Sequence, residues 1–202
     1  MLEQPVPLSF DEVALEAIRG RLHALTRARL RGSARKAAVL VPLCHVAGQA
    51  SVLFTRRSEK VGTHKGQVSF PGGMADEGDR DVEQTALREL EEEIGFPGAR
   101  VHVLGRFHDA RAITGVHVTP VVGFLGDVDP GHLVPNPDEI DAIFTLTLEE
   151  LVDPARRYEQ YHGPRGPIPV FDAGPFPVWG LTAYILEGVL KEVLGIPLPP
   201  VG

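Results

Sequence analysis

Apolar residues recur along this chain in two rhythms, and the points where the rhythm changes divide it into helices and strands. Leu15, Ile18, Leu22 and Leu25 repeat at three- and four-residue spacing within 10–30, after Ser9 and Asp11 as cap candidates, and predict an amphipathic helix. AAVLVPLC (37–44) and ASVLFTR (50–56) are apolar runs separated by a glycine-containing turn, the pattern of two strands. QVSF (67–70) reads as a short strand. Between 81 and 94 the rhythm is helical again, with Leu87, Leu90 and Ile94 within ~60° of one another on one face. Asp79 or Asp81 can cap this helix, and Gly95 follows it as a C′ glycine.

Downstream, RVHVLGRFHDA (100–110) and VHVTPVVGFLG (116–126) predict two strands joined by a loop over 110–115. Pro120 inside the second predicts an edge or bulged strand, because proline cannot donate to a ladder. Residues 127–138 are rich in Pro, Gly and Asp and predict a loop. IDAIFTLTL (140–148) predicts a strand, and a short helix starts at Thr147. Residues 154–177 hold six prolines and three glycines, which predict a long irregular segment around IPVF. An amphipathic helix over 179–195 ends at Gly195 and Pro197. No repeat or long linker divides residues 1–202, so a single domain is expected. Helices distributed among strands suggest a mixed sheet between helical layers, an α/β fold.

Composition narrows the class. A 202-residue chain with 43% hydrophobic residues suits one compact soluble unit with a sizeable core. The apolar runs are too short to span a membrane, and the first twenty residues lack the apolar core of a signal peptide. Cys44, the one cysteine, lies in an apolar run and reads as a buried thiol, which fits a reducing cytoplasm. A net charge of −7 disfavours general nucleic-acid binding. Residues 17–36 are a local exception: Arg19, Arg21, Arg27, Arg29, Arg31, Arg35 and Lys36 occur there without an acid. This run is either a solvated helix face or a patch for a phosphate-rich ligand or an acidic partner.

The chemistry concentrates in RELEEEIG (88–95). Glu89, Glu92 and Glu93 fall within ~100° of arc on the predicted helix. Like charges at i,i+3 and i,i+4 repel, and a divalent cation would offset that repulsion. Glutamate oxygens suit Mg²⁺ or Mn²⁺, which also bridge phosphate oxygens. A charge run is otherwise a solvated face. Here Gly72 and Gly73 lie just upstream, where backbone can approach a ligand closely. Glycine loop, capped helix and three carboxylates together suggest a metal–phosphate site. Glu89 and Glu93, one turn apart, can hold an ion. Glu92 can ligate a second ion or accept a proton from water. Arg88, at i,i+4 to Glu92, can orient the carboxylates.

Arg88-Glu89-Leu90, Glu92-Glu93 and Gly95 match the second half of the Nudix box, G-x5-E-x7-R-E-U-x-E-E-x-G-U, with Phe96 in the last apolar slot. In the first half the spacing from Gly73 to Arg88 is one residue longer, and Asp79 stands where glutamate is expected. The chain resembles the coenzyme A pyrophosphatase branch of the Nudix hydrolases, which shares that insertion. LFTRRSEKVGTHKGQVSFPGG resembles the branch's upstream signature through Thr55, Arg57, Ser58, Gly66 and Phe70–Gly73, while Gly62 stands where the branch has arginine. ITGVHVTPVVGFL (113–125), NPDEIDAIFTLTL (136–148) and VWGLTAYIL (178–186) also look like it, so the resemblance covers roughly 37–190, with 1–36 as an N-terminal helical extension.

The resemblance implies the Nudix α/β/α sandwich with a mixed β-sheet, plus N-terminal and C-terminal helices. It implies metal-dependent hydrolysis of coenzyme A or its derivatives to 3′,5′-ADP and 4′-phosphopantetheine. It gives Arg88 a supporting role and makes Glu139 a candidate for a further acid outside the box. Arg57 and Lys65 are the preferred pair for the 3′-phosphate. The expected partner is a small nucleotide substrate, with no nucleic acid and no membrane. Rival readings are a Nudix activity on ADP-ribose, NADH or a damaged nucleotide, and a non-catalytic nucleotide-binding module. His108, His117 and His162 lack ligand spacing and read as ordinary polar residues; Ser58 and Ser69 lack an evident base.

Overall fold

A computed structural model describes residues 9–32, 35–62, 64–161 and 166–199. The start of the chain and His162 lie outside these residues. Helix α1 (Glu12–Ala24) is capped by Asp11, whose side chain accepts from Ala14 N at 2.8 Å. It ends six residues sooner than the apolar rhythm suggested, because Leu25 turns to extended backbone (φ −67°, ψ 124°). Strands β1 (Lys36–Val46) and β2 (Gln49–Arg57) form an antiparallel hairpin registered from Leu43↔Val52 to Val46↔Gln49.

Past that register the two strands part, and two short strands enter the gap. β3 (Val68–Ser69) pairs with β2, and β4 (Gly72–Met74) pairs with β1 through Ala38↔Gly73 and Val39↔Gly72. Helix α2 (Val82–Ile94) follows. Asp81, not Asp79, is its cap, accepting from Glu83 N and Gln84 N, and Gly95 closes it at φ 69°. β5 (His102–Arg106), β6 (Ala110–Arg111) and β7 (His117–Asp127) come next, then β8 (Ile140–Thr147). β7 runs parallel to β1 and antiparallel to β5 and β6, while β8 borders β2. The sheet is therefore mixed. Helix α3 (Leu148–Val152) starts with a reciprocal capping box between Thr147 and Glu150.

The two faces of the sheet bury different layers. Ala38, Leu40 and Cys44 of β1, with Val121 and Leu125 of β7, pack under Ala86, Leu90 and Ile94 of α2. Val41 and Leu43 of β1, with Val122 of β7, face α1 and the C-terminal helix α4 (Gly180–Gly188). This period-two alternation makes the α/β/α sandwich. Cys44 is fully buried, and desolvation pushes its thiol up to about 12, as expected of a core thiol.

Two sequence expectations hold only in part: the strand of Pro120 is not an edge, although its ladder with β1 is irregular between Leu43 and His45, and 154–177 is not a wholly irregular segment. Pro120 lies inside β7, an interior strand, paired with Val39. It is tolerated because it falls in the gap between the β5 and β6 ladders, where only its carbonyl is used, by Phe107 N at 2.9 Å. The segment 154–177 is not irregular throughout: β9 (Arg157–Tyr161) and β10 (Pro167–Phe171) form a ribbon against α4. Pro167 and Pro169 share the parity of Phe171, whose N–H points away from β9 to Val178 O (2.9 Å), so their missing donors face the ribbon's free edge. α4 then runs into a π-helical turn, Val189–Val193, before Gly195 (φ 70°).

Leu90 joins α2 to the sheet and is fully buried. Leu90→Ala should lower unfolding free energy by ~2–5 kcal/mol through the cavity it leaves. Denaturant melts of both proteins measure it, and a change below ~1 kcal/mol would mean that this helix face does not pack as described.

Candidate active site

On α2, Glu89 and Glu93 lie one turn apart beside the apolar stripe, and the stripe's burial carries them against β4. A Cβ on Gly73 would fall 2.5 Å from the Glu89 carboxylate. One on Gly72 (φ 156°) would collide with the Ala38 carbonyl. Both positions therefore require glycine for close approach, and at Gly72 also for conformation.

Glu93 is 1% exposed. Its Oε2 accepts from Gly72 N at 3.3 Å, and its Oε1 lies 3.6 Å from the Arg57 guanidinium, too long for a hydrogen bond. That Oε1 is buried without a hydrogen-bond partner, and so is Arg57 Nε. Desolvation pushes the Glu93 carboxyl up to about 8; Arg57 and Gly72 N pull it down, and Glu89 and Glu139 raise it further. Glu89 is also raised, chiefly by burial, with Glu92 and Glu139 adding repulsion against the pull of Arg88. Glu139 is thus close enough for its charge to act on both. Its amide lends an oxygen to the same corner, since Ser58 N donates to Glu139 O at 2.7 Å.

Arg88 organises the opposite edge. Its guanidinium donates to both oxygens of Asp79 (3.1 and 3.0 Å), to Glu89 and Glu92 (2.9 Å each), and to Met74 O in β4 (3.1 Å). Asp79, almost buried, also accepts from Asp76 N and Thr85 Oγ1. The Arg88 hydrogen bonds hold its carboxyl far below the usual range, with the Asp76 N–H adding to the effect. Sequence reasoning treated Asp79 only as a cap candidate and a departure from the box. Its placement nine residues before Arg88, where an acid was expected, was the available signal for a clamp.

The chain therefore brings Glu89, Glu93, Arg57, Gly72 and Gly73 together, with Glu139 nearby. Glu92 is turned outward, its side chain 55% exposed and held by Arg88. Lys65 is exposed in the β2–β3 loop, which closes through Gly66 N donating to Arg57 O (3.1 Å). With Glu89 and Glu92 drawn to Arg88, no three His, Cys, Asp or Glu side chains converge on one point among the described residues. The donor set still fits a hard divalent cation. Its donors are carboxylate oxygens, one of them is buried and unpartnered, and burial raises both carboxyls despite the pull of Arg88 and Arg57.

A family model described as the NUDIX domain matches residues 34–165. The human protein named mitochondrial coenzyme A diphosphatase NUDT8 is 44% identical over 177 residues, covering 85% of this chain and 75% of that protein. The mouse protein of the same name is 43% identical over 176 residues, covering 85% of this chain and 84% of that one. Among solved structures, the Nudix hydrolase RenU of M. smegmatis superposes with a TM-score of 0.54 at 22% identity, covering 85% of this chain and 93% of that chain, a likeness of fold.

Two outcomes follow from the geometry. Asp79→Asn removes the charge that clamps Arg88 and should cost ~1–3 kcal/mol of stability at neutral pH. Asp79's depressed carboxyl stabilises the fold above the unfolded carboxylate range, so the gap from the unmodified protein should close as pH falls below ~4; a gap constant across pH would contradict the clamp. Glu93 has the opposite sign. Its folded value, about 8, is raised. The folded state then holds a proton that the unfolded chain has released, and metal-free stability declines as pH rises from ~5 towards 8. Glu93→Gln keeps an acceptor for Gly72 N and should melt progressively above the unmodified protein across that window, measured in chelator. A Gln variant that is uniformly less stable would refute the unpartnered-carboxylate description.

Proposed function

This chain belongs to the Nudix family, and from that premise we propose that it hydrolyses the pyrophosphate linkage of coenzyme A or its derivatives, giving 3′,5′-ADP and 4′-phosphopantetheine or its acyl form. The observation that carries the reading is the seating of Glu89 and Glu93 against the Gly72–Gly73 backbone, in a chain whose mammalian relatives are named coenzyme A diphosphatases. Residues 1–202 act as one unit in this reading, with 37–190 as its catalytic core.

Each residue has a proposed task. Glu89 and Glu93 would hold a divalent cation, Mg²⁺ or Mn²⁺, with Glu92 and Glu139 available beside them. Such an ion, when bound, neutralises pyrophosphate oxygens and acidifies water. Glu92 is exposed enough to reach solvent and is the candidate base, and Glu139 is the further acid. Arg88 fixes Glu89 and Glu92 at a set separation, which limits their freedom to drift from a productive geometry. The bare backbone at Gly72 and Gly73 lets the Glu89 and Glu93 carboxylates seat directly against β4, beside which the diphosphate would bind. In this reading Arg57, which faces Glu93, supplies positive charge to the diphosphate, and Lys65 in the adjacent loop is assigned to the same group. This revises their expected role at the 3′-phosphate.

The setting is consistent with a small-molecule enzyme. No described helix is long and apolar enough to cross a membrane. The acidic net charge argues against nucleic acid as a partner. A lone buried cysteine fits the reducing cytoplasm proposed for it, although the mammalian relatives carry the word mitochondrial in their names.

The test is hydrolysis of coenzyme A with product masses, run with Mg²⁺, with Mn²⁺ and with excess chelator. Metal-dependent release of the two named products is expected. Glu93→Gln should lower kcat by ~10²-fold or more, the scale of losing a charge-stabilising group. Near-normal turnover in that variant or in chelator would sink the mechanism, and a higher kcat/KM on ADP-ribose or NADH than on coenzyme A would move the substrate.

A further inference from the structure

One row of side chains beside the glycine strand has no part in the chemistry above. Lys36 opens β1, His117 opens β7 and Arg111 closes β6. Register pairs Lys36 with His117 and His117 with Arg111, so the three stand abreast on neighbouring strands, ~4.8 Å apart at each step. Lys36 has the parity of Ala38 and Leu40, and His117 that of Val121, residues that pack under α2. The row therefore belongs to the sheet face that carries the carboxylate helix. Ala38 pairs with Gly73, and Lys36 lies ~7 Å further along the same strand. The Lys36 carbonyl accepts from Ala75 N at 3.0 Å, which ties this end of β1 to the chain leaving β4.

The state of these side chains points to a ligand. His117 is only 7% exposed, yet its ring has no hydrogen-bond partner among the described residues; only its backbone N–H is held, by Arg35 O at 2.9 Å. Lys36 and Arg111 are exposed, and neither has an ion-pair partner among the described residues. Asp109, two residues before Arg111, is engaged elsewhere: it accepts from Arg27 (2.9 Å), Leu30 N (3.0 Å) and Thr119 Oγ1 (2.8 Å). The body of the imidazole is packed, but its ring nitrogens still reach the surface. Set between two cations that have no ion-pair partner among the described residues, it can meet oxygens that arrive with a ligand.

We propose that Lys36, His117 and Arg111 form a phosphomonoester subsite, which in the substrate takes the ribose 3′-phosphate. The proposal rests on the hydrolase reading above and adds how that enzyme distinguishes a 3′-phosphorylated nucleotide from one without it. Two cations match a dianion, and the imidazole offers a short, oriented contact between them. Arg57 and Lys65 remain with the diphosphate, so the two phosphate groups of the ligand are met by separate sets of residues.

Calorimetry of adenosine 3′,5′-bisphosphate and adenosine 5′-monophosphate binding, in Mg²⁺ buffer, tests the subsite without requiring turnover. The unmodified chain should bind the bisphosphate at least about tenfold more tightly, the scale of one charge-assisted contact. Lys36→Ala combined with Arg111→Ala should remove that preference, and the bulkier Lys36→Gln, Arg111→Gln variant should do the same if the first fails to fold. Lys65→Ala should weaken both ligands alike. No preference in the unmodified protein, or a preference untouched in the folded double variant, would overturn the subsite. Coenzyme A hydrolysis read on the same unmodified protein separates the two claims. Preference that depends on Lys36 and Arg111 without hydrolysis keeps the subsite and removes the enzyme reading. Hydrolysis with a preference indifferent to them does the reverse.

Discussion

A carboxylate buried without enough positive charge is the constraint around which this structure is arranged. An ionised carboxylate removed from water is strongly disfavoured unless hydrogen bonds or cations replace the water. Glu93 receives one long hydrogen bond from Gly72 N and a distant guanidinium, and one of its oxygens has no partner. The fold accepts this because the surrounding apolar stripe of α2 is anchored by Ala86, Leu90 and Ile94 on the sheet. The result is a negative centre that is incomplete without a cation. A protein selected for stability alone would place an apolar residue there.

The neighbouring features follow from that centre. β1 and β2 part after their first four pairs, and β3 and β4 enter the gap, which puts the Gly72 amide within reach of Glu93. Gly72 and Gly73 leave no side chain between strand and helix. Arg88, held by Asp79 and Met74 O, fixes the register of α2 against β4 from the other edge. Three of the seven cations in the basic run near the N-terminus have structural tasks. Arg21 caps the carbonyls of Val193 and Leu194, Arg27 docks on Asp109, and Arg19 meets Glu16 and His102. Arg29, Arg31, Arg35 and Lys36 have no side-chain ion-pair partner among the described residues.

The parts of this design that depend on local rules were legible in the chain. RELEEEIG carried its own helix, its charge and its terminating glycine. The hairpin and the Thr147 cap followed from hydrophobic runs and turn chemistry. What was not legible depended on pairing across the sheet. Pro120 looked like an edge marker because sequence shows the missing donor but not the gap between two ladders that makes it harmless. Pro167 and Pro169 looked like breakers because their shared parity matters only once a ribbon has a free edge. Asp79 was visible as an acid in an unexpected slot, but its two-point grip on Arg88 depends on the loop over 75–81. His117 looked like any isolated histidine; Lys36 reaches it from a strand far away in sequence, and Arg111, six residues before it, becomes its neighbour only through the β6–β7 pairing.

The central claim is that α2 and β4 together build a cation site from Glu89 and Glu93. Electron paramagnetic resonance of Mn²⁺ titrated into the intact chain, and into Glu89→Gln and Glu93→Gln, measures it directly, because free and bound Mn²⁺ differ in signal and no substrate is needed. The account predicts a bound ion in the unmodified protein and at least tenfold weaker binding in each variant, with both variants folded. Equal Mn²⁺ affinity in all three proteins would contradict it.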